Sequence, residues 1–314
     1  MFSRIQGVKE LNGSDSDKIT MSLYNIVNEY IRQNELRDMV LQFVNYQSEK
    51  GFPFGELLVL HYHIFSGADT EEIYAIAAAV ELLILSFDIL DDFEDEDTKD
   101  KPWSTESKLA LNATTALLFI SIKVIKNTSF KNKNKILDIL EDLALQSING
   151  QHKDLLNICK TESEYIEMSI EKSGSLVALA CLAGAVLARN DYPVEIDSYS
   201  KYIGLIGQIN NDLMDIKNWN GKNDLLHKKY SLPIIFLLNC GDKEIQFIHN
   251  YYQNKVNKSE IIKNQELINQ KLVETGAIIY TEVIKTIYQN KTMNEIQQLD
   301  IEQRYLEKLL KYIF

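Results

Sequence analysis

Two acidic clusters lie about 120 residues apart in this chain: Asp91-Asp92-Phe93-Glu94-Asp95 and Asn211-Asp212-Leu213-Met214-Asp215. Side chains at i and i+4 share a helix face. Asp91 with Asp95, and Asn211 with Asp215, therefore each place a pair of oxygens on one side of a helix. Hard cations such as Mg2+ take oxygen ligands and keep waters and substrate phosphates for the rest of their shell. Two such pairs facing across a helical bundle would hold a diphosphate through bridging magnesium ions. An isolated acidic run is most often a solvated helix end. Here both clusters follow apolar stretches, residues 80–90 and 203–209, and carboxylates emerging from buried faces are costly unless paired or metal-bound. Lys172, at the start of an apolar helix, and Lys229, just before Leu232-Pro233, add two cations that could clamp a diphosphate.

The elements that must position these groups read as helices throughout. Apolar residues recur at helical spacing over about 19–33, 35–49, 55–65, 70–97, 106–126, 133–158, 162–190, 195–218, 230–240, 242–253, 258–273, 275–290 and 294–313. Gly51, Pro53, Gly67, Pro102, Pro193, Gly221 and Gly241 punctuate them, and strand-type alternation is absent. The pattern predicts an all-α protein, a single bundle over 19–314 behind a polar, mobile segment at 1–18.

Composition narrows the chemistry. A net charge of −12 argues against a nucleic-acid partner or an anionic membrane surface, since both require a basic face. An acidic enzyme with an anionic substrate must recruit metal or local lysines. Three widely spaced cysteines, Cys159, Cys181 and Cys240, fit a reducing cytoplasm without a disulfide framework. No secretory leader pattern is visible. The longest apolar run, residues 175–188, is short for a membrane span and reads as a buried central helix, so no stable membrane insertion is expected. The lysine-rich stretch 131–135 reads as a solvated surface turn.

Six segments, in order, carry a family resemblance: Glu81-Leu82 ten residues before Asp91-Asp92-x-x-Asp95; Gly150-Gln151-x-x-Asp154-Leu155; Lys172-Ser173-Gly174-x-Leu176; Gly204-x-x-x-Gln208-x-x-Asn211-Asp212-x-x-Asp215; Lys229-x-Ser231-Leu232-Pro233; and Thr275-Gly276-Ala277. From about residue 50 to 310 the chain resembles the trans-prenyltransferases of the isoprenoid diphosphate synthase superfamily. The resemblance implies their large helical bundle with a central metal–diphosphate cavity. It also implies magnesium, with three ions: two on Asp91 and Asp95 with Asp92 in support, and a third on Asn211 and Asp215 with Asp212 in support. Lys172 and Lys229 would grip the leaving diphosphate, and Gln208 with the Ser173 carbonyl would steady the developing allylic cation. Phe87, one turn below Asp91, would shorten the prenyl pocket toward a geranyl or farnesyl donor, unless it is an ordinary core residue. Family members are commonly homodimers.

The chain departs from the chain-elongating synthases at one place. Their second substrate, isopentenyl diphosphate, is held by a Gly-Lys-Arg segment, a histidine before the first acidic motif and paired arginines after it. Here those positions carry Gly51-Phe52-Pro53, Ile84 and Asp100-Lys101. An aspartate beside a second diphosphate would repel it. This pattern resembles the ComQ-type isoprenyl transferases, which attach a geranyl or farnesyl group to a tryptophan of a peptide pheromone precursor, ComX, in quorum sensing and competence. Indole carbon 3 is electron-rich and uncharged, so it requires no cationic clamp. An ordinary short-chain prenyl diphosphate synthase and a non-catalytic partner subunit remain the alternatives. A class I terpene cyclase fits less well, because Asp215 and Trp219 stand where its Asn-Asp motif wants Ser or Thr and Glu.

Overall fold

The computed structural model describes residues 13–221 and 223–314. Among them every regular element is helical: α1 (Asp15–Tyr30), α2 (Asn34–Ser48), α3 (Pro53–Ile64), α4 (Glu71–Glu94), α5 (Ser107–Asn127), α6 (Lys133–Leu155), α7 (Glu162–Ser169), a π turn (Ile170–Gly174), α8 (Ser175–Arg189), α9 (Val194–Asp215), α10 (Leu232–Asn239), a 3-10 turn (Lys243–Ile245), α11 (Gln246–Tyr252), α12 (Lys258–Lys263), α13 (Gln265–Glu274), α14 (Ala277–Ile296) and α15 (Gln303–Leu310). The all-α expectation holds. The segment expected to be mobile falls largely outside the described residues, but its last four residues, 15–18, form the first turn of α1. There the Ser14 hydroxyl accepts from the Asp17 amide at 3.2 Å and the Asp17 carboxylate accepts from the Ser14 amide at 2.9 Å, a reciprocal cap that fixes the helix start.

Two compact units divide the chain, one of Met1–Asp138 with Ala183–Asp191 and the other of Ile139–Leu182 with Tyr192–Phe314. In the first, α4 packs against α5, α1 and α3. The α4 run Ile76–Leu85 is buried throughout, and apart from Glu81 it is apolar on every face, as a central helix must be. Each fully buried aliphatic side chain there contributes about 1.5–3 kcal/mol relative to exposure. In the second unit α9 packs against α14 and against the π turn. Tyr165, Leu205, Ile209, Leu213, Leu232 and Ile284 form the core behind the second acidic cluster.

Several boundaries differ from the sequence reading, among them the helix expected at 258–273, which breaks into α12 and α13. The helix expected at 70–97 stops at Glu94, where Glu96 takes a left-handed φ of 57° and the Asp97 amide returns to the Asp92 carbonyl at 2.8 Å. The helix expected at 162–190 is interrupted by the π turn, and the break expected near 290–294 is absent because α14 runs through it. Length also fails as an argument about membranes. Glu71–Glu94, Ser107–Asn127 and Glu162–Arg189 are each long and apolar enough to cross one. What marks the first and third as core helices is that 78% of each apolar window is buried within the protein.

Candidate active site

In the first unit the acidic cluster sits at the C-terminal end of α4, where the helix macrodipole is negative. Asp91 and Asp95 are half-buried, and the Asp95 amide donates to the Asp91 carbonyl at 2.8 Å, so the two side chains keep helical register. The protein packed around Asp88, together with the charges of Asp91 and Asp92, pushes its carboxyl up to about 7, although part of that side chain is open. A negative helix end carrying this many carboxylates is relieved by a cation, and the donors are hard oxygens. The residues present therefore fit a divalent ion. Among the described residues no three His, Cys, Asp or Glu side chains converge into a ready-made metal nest.

Asp92 behaves differently from its neighbours. Its Oδ1 lies 2.5 Å from Lys101 Nζ, and its Oδ2 accepts from Trp103 Nε1 at 3.0 Å. Both oxygens are thus engaged by the loop that follows the motif. Lys101 also reaches Asp97 at 3.1 Å. Of the positions where an acceptor diphosphate would be held, Phe52 and Ile84 are buried in the core, and the Lys101 cation is committed to two aspartates. Lys50 stands over the Tyr46 ring at 5.0 Å. Glu81, from the motif upstream, is buried and accepts from the Gly55 amide at 2.5 Å. It serves as the cap of α3, which has no side-chain cap of its own.

In the second unit the lysines come together. Lys172 Nζ lies 2.8 Å and Lys229 Nζ 3.6 Å from the same oxygen of Asp154. Asp154 is the acid of the Gly-Gln-x-x-Asp segment, visible in the sequence as a motif but without an assigned role. The π turn presents Lys172 and Ser173. Such turns widen a helix and are frequent at functional sites. Its loosened carbonyls are taken up by hydroxyls: Ser147 donates to the Lys172 carbonyl and Ser175 to the Glu171 carbonyl, each at 2.6 Å. Helices press on this turn at two glycines. A Cβ on Gly150 would collide with the Lys172 amide nitrogen, and one on Gly204 would lie 2.5 Å from Gly174 Cα and 2.7 Å from the Ser173 carbonyl oxygen. The motif glycines are there for close approach. Lys229 is fixed through the backbone: Tyr252 donates to its carbonyl at 2.8 Å, and Asn157, itself at a left-handed φ of 54°, donates to the Lys228 carbonyl at 2.7 Å. Nothing in the sequence pattern marked Asn157 or Tyr252.

Ser173 and Gln208, expected to act together, do meet: the Ser173 hydroxyl donates to Gln208 Oε1 at 3.0 Å. Gln208 Nε2 in turn donates to Asp212 Oδ1 at 2.9 Å, and the Tyr165 hydroxyl donates to Asp212 Oδ2 at 2.6 Å. Asp212 is 4% exposed. Burial, then the charge of Asp224, pushes its carboxyl up to about 8. It therefore anchors a buried network, whereas Asn211 is exposed and Asp215 half-buried on the other side of α9. Asp92 and Asp212, the second residue of each cluster, are both held by protein donors on both oxygens. Phe87 is half-buried on α4.

The chain is similar to several known proteins. A family model described as polyprenyl synthetase matches residues 54–270. The tryptophan prenyltransferase ComQ of Bacillus subtilis subsp. natto is 35% identical over 297 residues, 94% of this chain and 91% of that one. The ComQ of Bacillus subtilis is 31% identical over 290 residues, 90% and 93% of the two chains. A polyprenyl synthase from Caulobacter crescentus, solved in complex with calcium and isoprenyl diphosphate, superposes with a TM-score of 0.76 at 19% identity over 97% of each chain. At that identity the likeness is one of fold.

Proposed function

The chain belongs to the polyprenyl synthetase family, in its ComQ-type branch, and is a prenyltransferase; from that premise we propose that it transfers a geranyl or farnesyl group from its diphosphate to a tryptophan side chain of a ComX-like peptide pheromone precursor. The tryptophan acceptor is supported by the activity named for the ComQ relatives. Use of a divalent cation, taken here as magnesium with three ions, is supported by the hard-oxygen donor set and by the calcium and isoprenyl diphosphate held by the Caulobacter synthase.

In this reading Asp91 and Asp95 hold metal from the first cluster, and Asn211 and Asp215 from the second. Bound there, divalent cations supply Lewis-acid charge that draws electron density onto the departing diphosphate. Lys172 and Lys229 add fixed positive charge for the same leaving group. Their shared partner Asp154 keeps both side chains extended and placed before the substrate arrives. The bond between prenyl carbon 1 and the diphosphate oxygen breaks with its electron pair leaving on the diphosphate, and carbon 3 of the indole supplies the pair for the new carbon–carbon bond. The resulting indoleninium charge is discharged by loss of a proton from nitrogen, the ring N–H or a backbone amide that closes onto carbon 2. Gln208, oriented by Ser173 and Asp212, presents its amide dipole to the developing allylic cation. The protein then has to orient the ring and exclude water.

One observation carries the choice of acceptor. Lys101, next to the position where a second diphosphate would want cations, is paired with Asp92 and Asp97, whereas the lysines assigned to the donor share a single carboxylate. A neutral indole needs no cationic seat, and a second diphosphate does. Action in the cytoplasm belongs to the same proposal and accords with three cysteines that are all free thiols. So does a homodimer, supported by the exposed Leu111 and Phe119 on α5. The test incubates the protein with magnesium, geranyl or farnesyl diphosphate and a tryptophan-containing precursor peptide, and reads the peptide mass. A gain of one prenyl unit that disappears with Asp91→Ala or Asp95→Ala is expected. Chain growth on isopentenyl diphosphate at a useful rate, with no peptide product, would instead make the protein a synthase.

A further inference from the structure

The loop after the first acidic cluster folds back on it. Trp103 is 2% exposed, with its ring edge-on to Phe43 at 5.6 Å and to Tyr46 at 5.3 Å, both on α2. Its indole nitrogen is the only polar atom of the side chain, it donates only, and it is spent on Asp92 Oδ2 at 3.0 Å. Lys101 takes the other oxygen at 2.5 Å. The main chain of Asp92 is tied as well, through the Asp97 amide at 2.8 Å. Asp92 is thus held at three points by residues 97–103.

On a helix Asp92 stands about 100° around the axis from Asp91, while Asp95 returns to the Asp91 face. Three carboxylates at the negative end of α4 repel one another and compete for any cation placed there. An ammonium is a rotatable point charge on a flexible stem and does not by itself choose which way a carboxylate faces. A buried indole gripped by two aromatic rings does, because its N–H has one direction.

We infer that Trp103, with Lys101, is a positioning residue for metal binding. It keeps the Asp92 carboxylate turned away from the cation, so that the first cluster presents a two-carboxylate seat of Asp91 and Asp95 with one negative charge already neutralised. The inference rests on the reading of Asp91 and Asp95 as metal ligands and adds to it the residue that sets their geometry.

The test measures calorimetric binding of Mn2+ in the presence of inorganic diphosphate, alongside thermal melting, on the full chain. Mutating an outer-shell group that orients a metal site typically costs about 10–100-fold in affinity, and a released Asp92 would disturb the Asp91–Asp95 seat. Trp103→Phe keeps an aromatic ring between Phe43 and Tyr46 and removes the donor, so Mn2+ affinity is expected to fall about 10-fold or more. Phe43→Leu loosens the same packing without touching Asp92, and is expected to lower the melting temperature while leaving affinity within about 2-fold. In an Asp92→Asn background, where the competing charge is gone, Trp103→Phe is expected to have no further effect on affinity, the signature of a coupled pair. If Trp103→Phe does not fold, Trp103→Tyr, a ring without the indole N–H, reports on the same clamp with no change of charge and is expected to weaken Mn2+ in the same direction. Unchanged affinity in these clamp variants, or an equal loss in Phe43→Leu, reduces Trp103 to a packing residue. Binding that survives Asp91→Ala and Asp95→Ala overturns the metal reading itself, a failure that the clamp variants alone cannot produce.

Discussion

The Tyr165 hydroxyl lies 2.6 Å from Asp212 Oδ2, and with Gln208 on the other oxygen it turns the middle acid of the second cluster into the core of α9. Its neighbours Asn211 and Asp215 stay accessible. The two aspartates of one motif therefore have different tasks. Burial pushes its carboxyl up, and its two oxygens are spent on Tyr165 and Gln208. Asp212→Asn keeps the shape of the side chain and one acceptor oxygen in this buried network, and is expected to keep prenyl transfer within about 10-fold of the parent. Asp215→Asn removes a charged ligand and is expected to cost about 100-fold or more. Steady-state rates at matched magnesium distinguish the two, and equal losses would put Asp212 back on the metal.

Gly204 and Gly207 are one turn apart on α9 and face different constraints. A Cβ on Gly204 would enter the π turn at Gly174 and the Ser173 carbonyl, both backbone atoms that cannot move aside, whereas one on Gly207 meets nothing within 4 Å. Gly204→Ala is expected to destabilise the protein by about 1–3 kcal/mol, the usual cost of overpacking, and to lower transfer by displacing Ser173. Gly207→Ala is expected to be neutral or to stabilise α9 by about 0.5–1 kcal/mol through helix propensity. Denaturant midpoints of the two variants compare the effects directly.

These two cases show what sequence could and could not carry. Helical class follows from apolar spacing, because a period of 3.6 survives in any buried helix face. Asp91, Asp95, Lys172, Gln208, Asp215 and Lys229 stand out as candidates in the sequence because each sits in a motif of fixed spacing. The clamp on Asp92 was not: Trp103 and Lys101 act through a loop whose return path depends on the left-handed turn at Glu96. Nor was the π turn, since one extra residue in a helical turn leaves almost no mark on periodicity. The glycines at 150 and 204 were visible as motif letters, but the reason for them is contact with another segment. Asp154 was read as part of a motif, while its function as the shared partner of two lysines requires three segments in space.

Glu81 gives a pH dependence whose direction can be worked out. Its carboxyl is buried and pushed up to about 8, chiefly by desolvation, with the Gly55 amide pulling the other way. The folded state thus holds the proton more tightly than the unfolded chain, in which the group titrates near 4.5. Stability from this group is fully present below that lower value and is lost as pH rises through about 8. Melting temperature is expected to decline over this window in the parent. Glu81→Gln retains an oxygen for Gly55 but cannot ionise, so its melting curve should flatten over the same range. Glu81→Ala should cost about 1–3 kcal/mol at low pH, by leaving the buried Gly55 amide without its acceptor, and less as pH rises toward 8. A Gln variant with the parent's full pH slope would show that the slope comes from other groups.

Phe87 tests the donor pocket. It precedes Asp91 by one helical turn on α4 and is half-buried, so its ring lies on the metal-binding side of the helix, one turn nearer the helix start. If a prenyl chain runs along α4 from the metals, that ring sets its length. Each isoprene unit adds five carbons, and a phenyl group removed to the β-carbon vacates roughly that space. Phe87→Ala is therefore expected to shift donor preference by one isoprene unit, read by competing geranyl, farnesyl and geranylgeranyl diphosphates for one peptide and weighing the products. The discrimination available from apolar contacts is about 10–200-fold per methylene-scale mismatch, so relief of a clash this size should be plain in the product ratio. Should the ratio stay fixed while only stability falls, by up to the ~3–5 kcal/mol typical of an aromatic truncation in a core, Phe87 is a packing residue and chain length is set elsewhere along the helix.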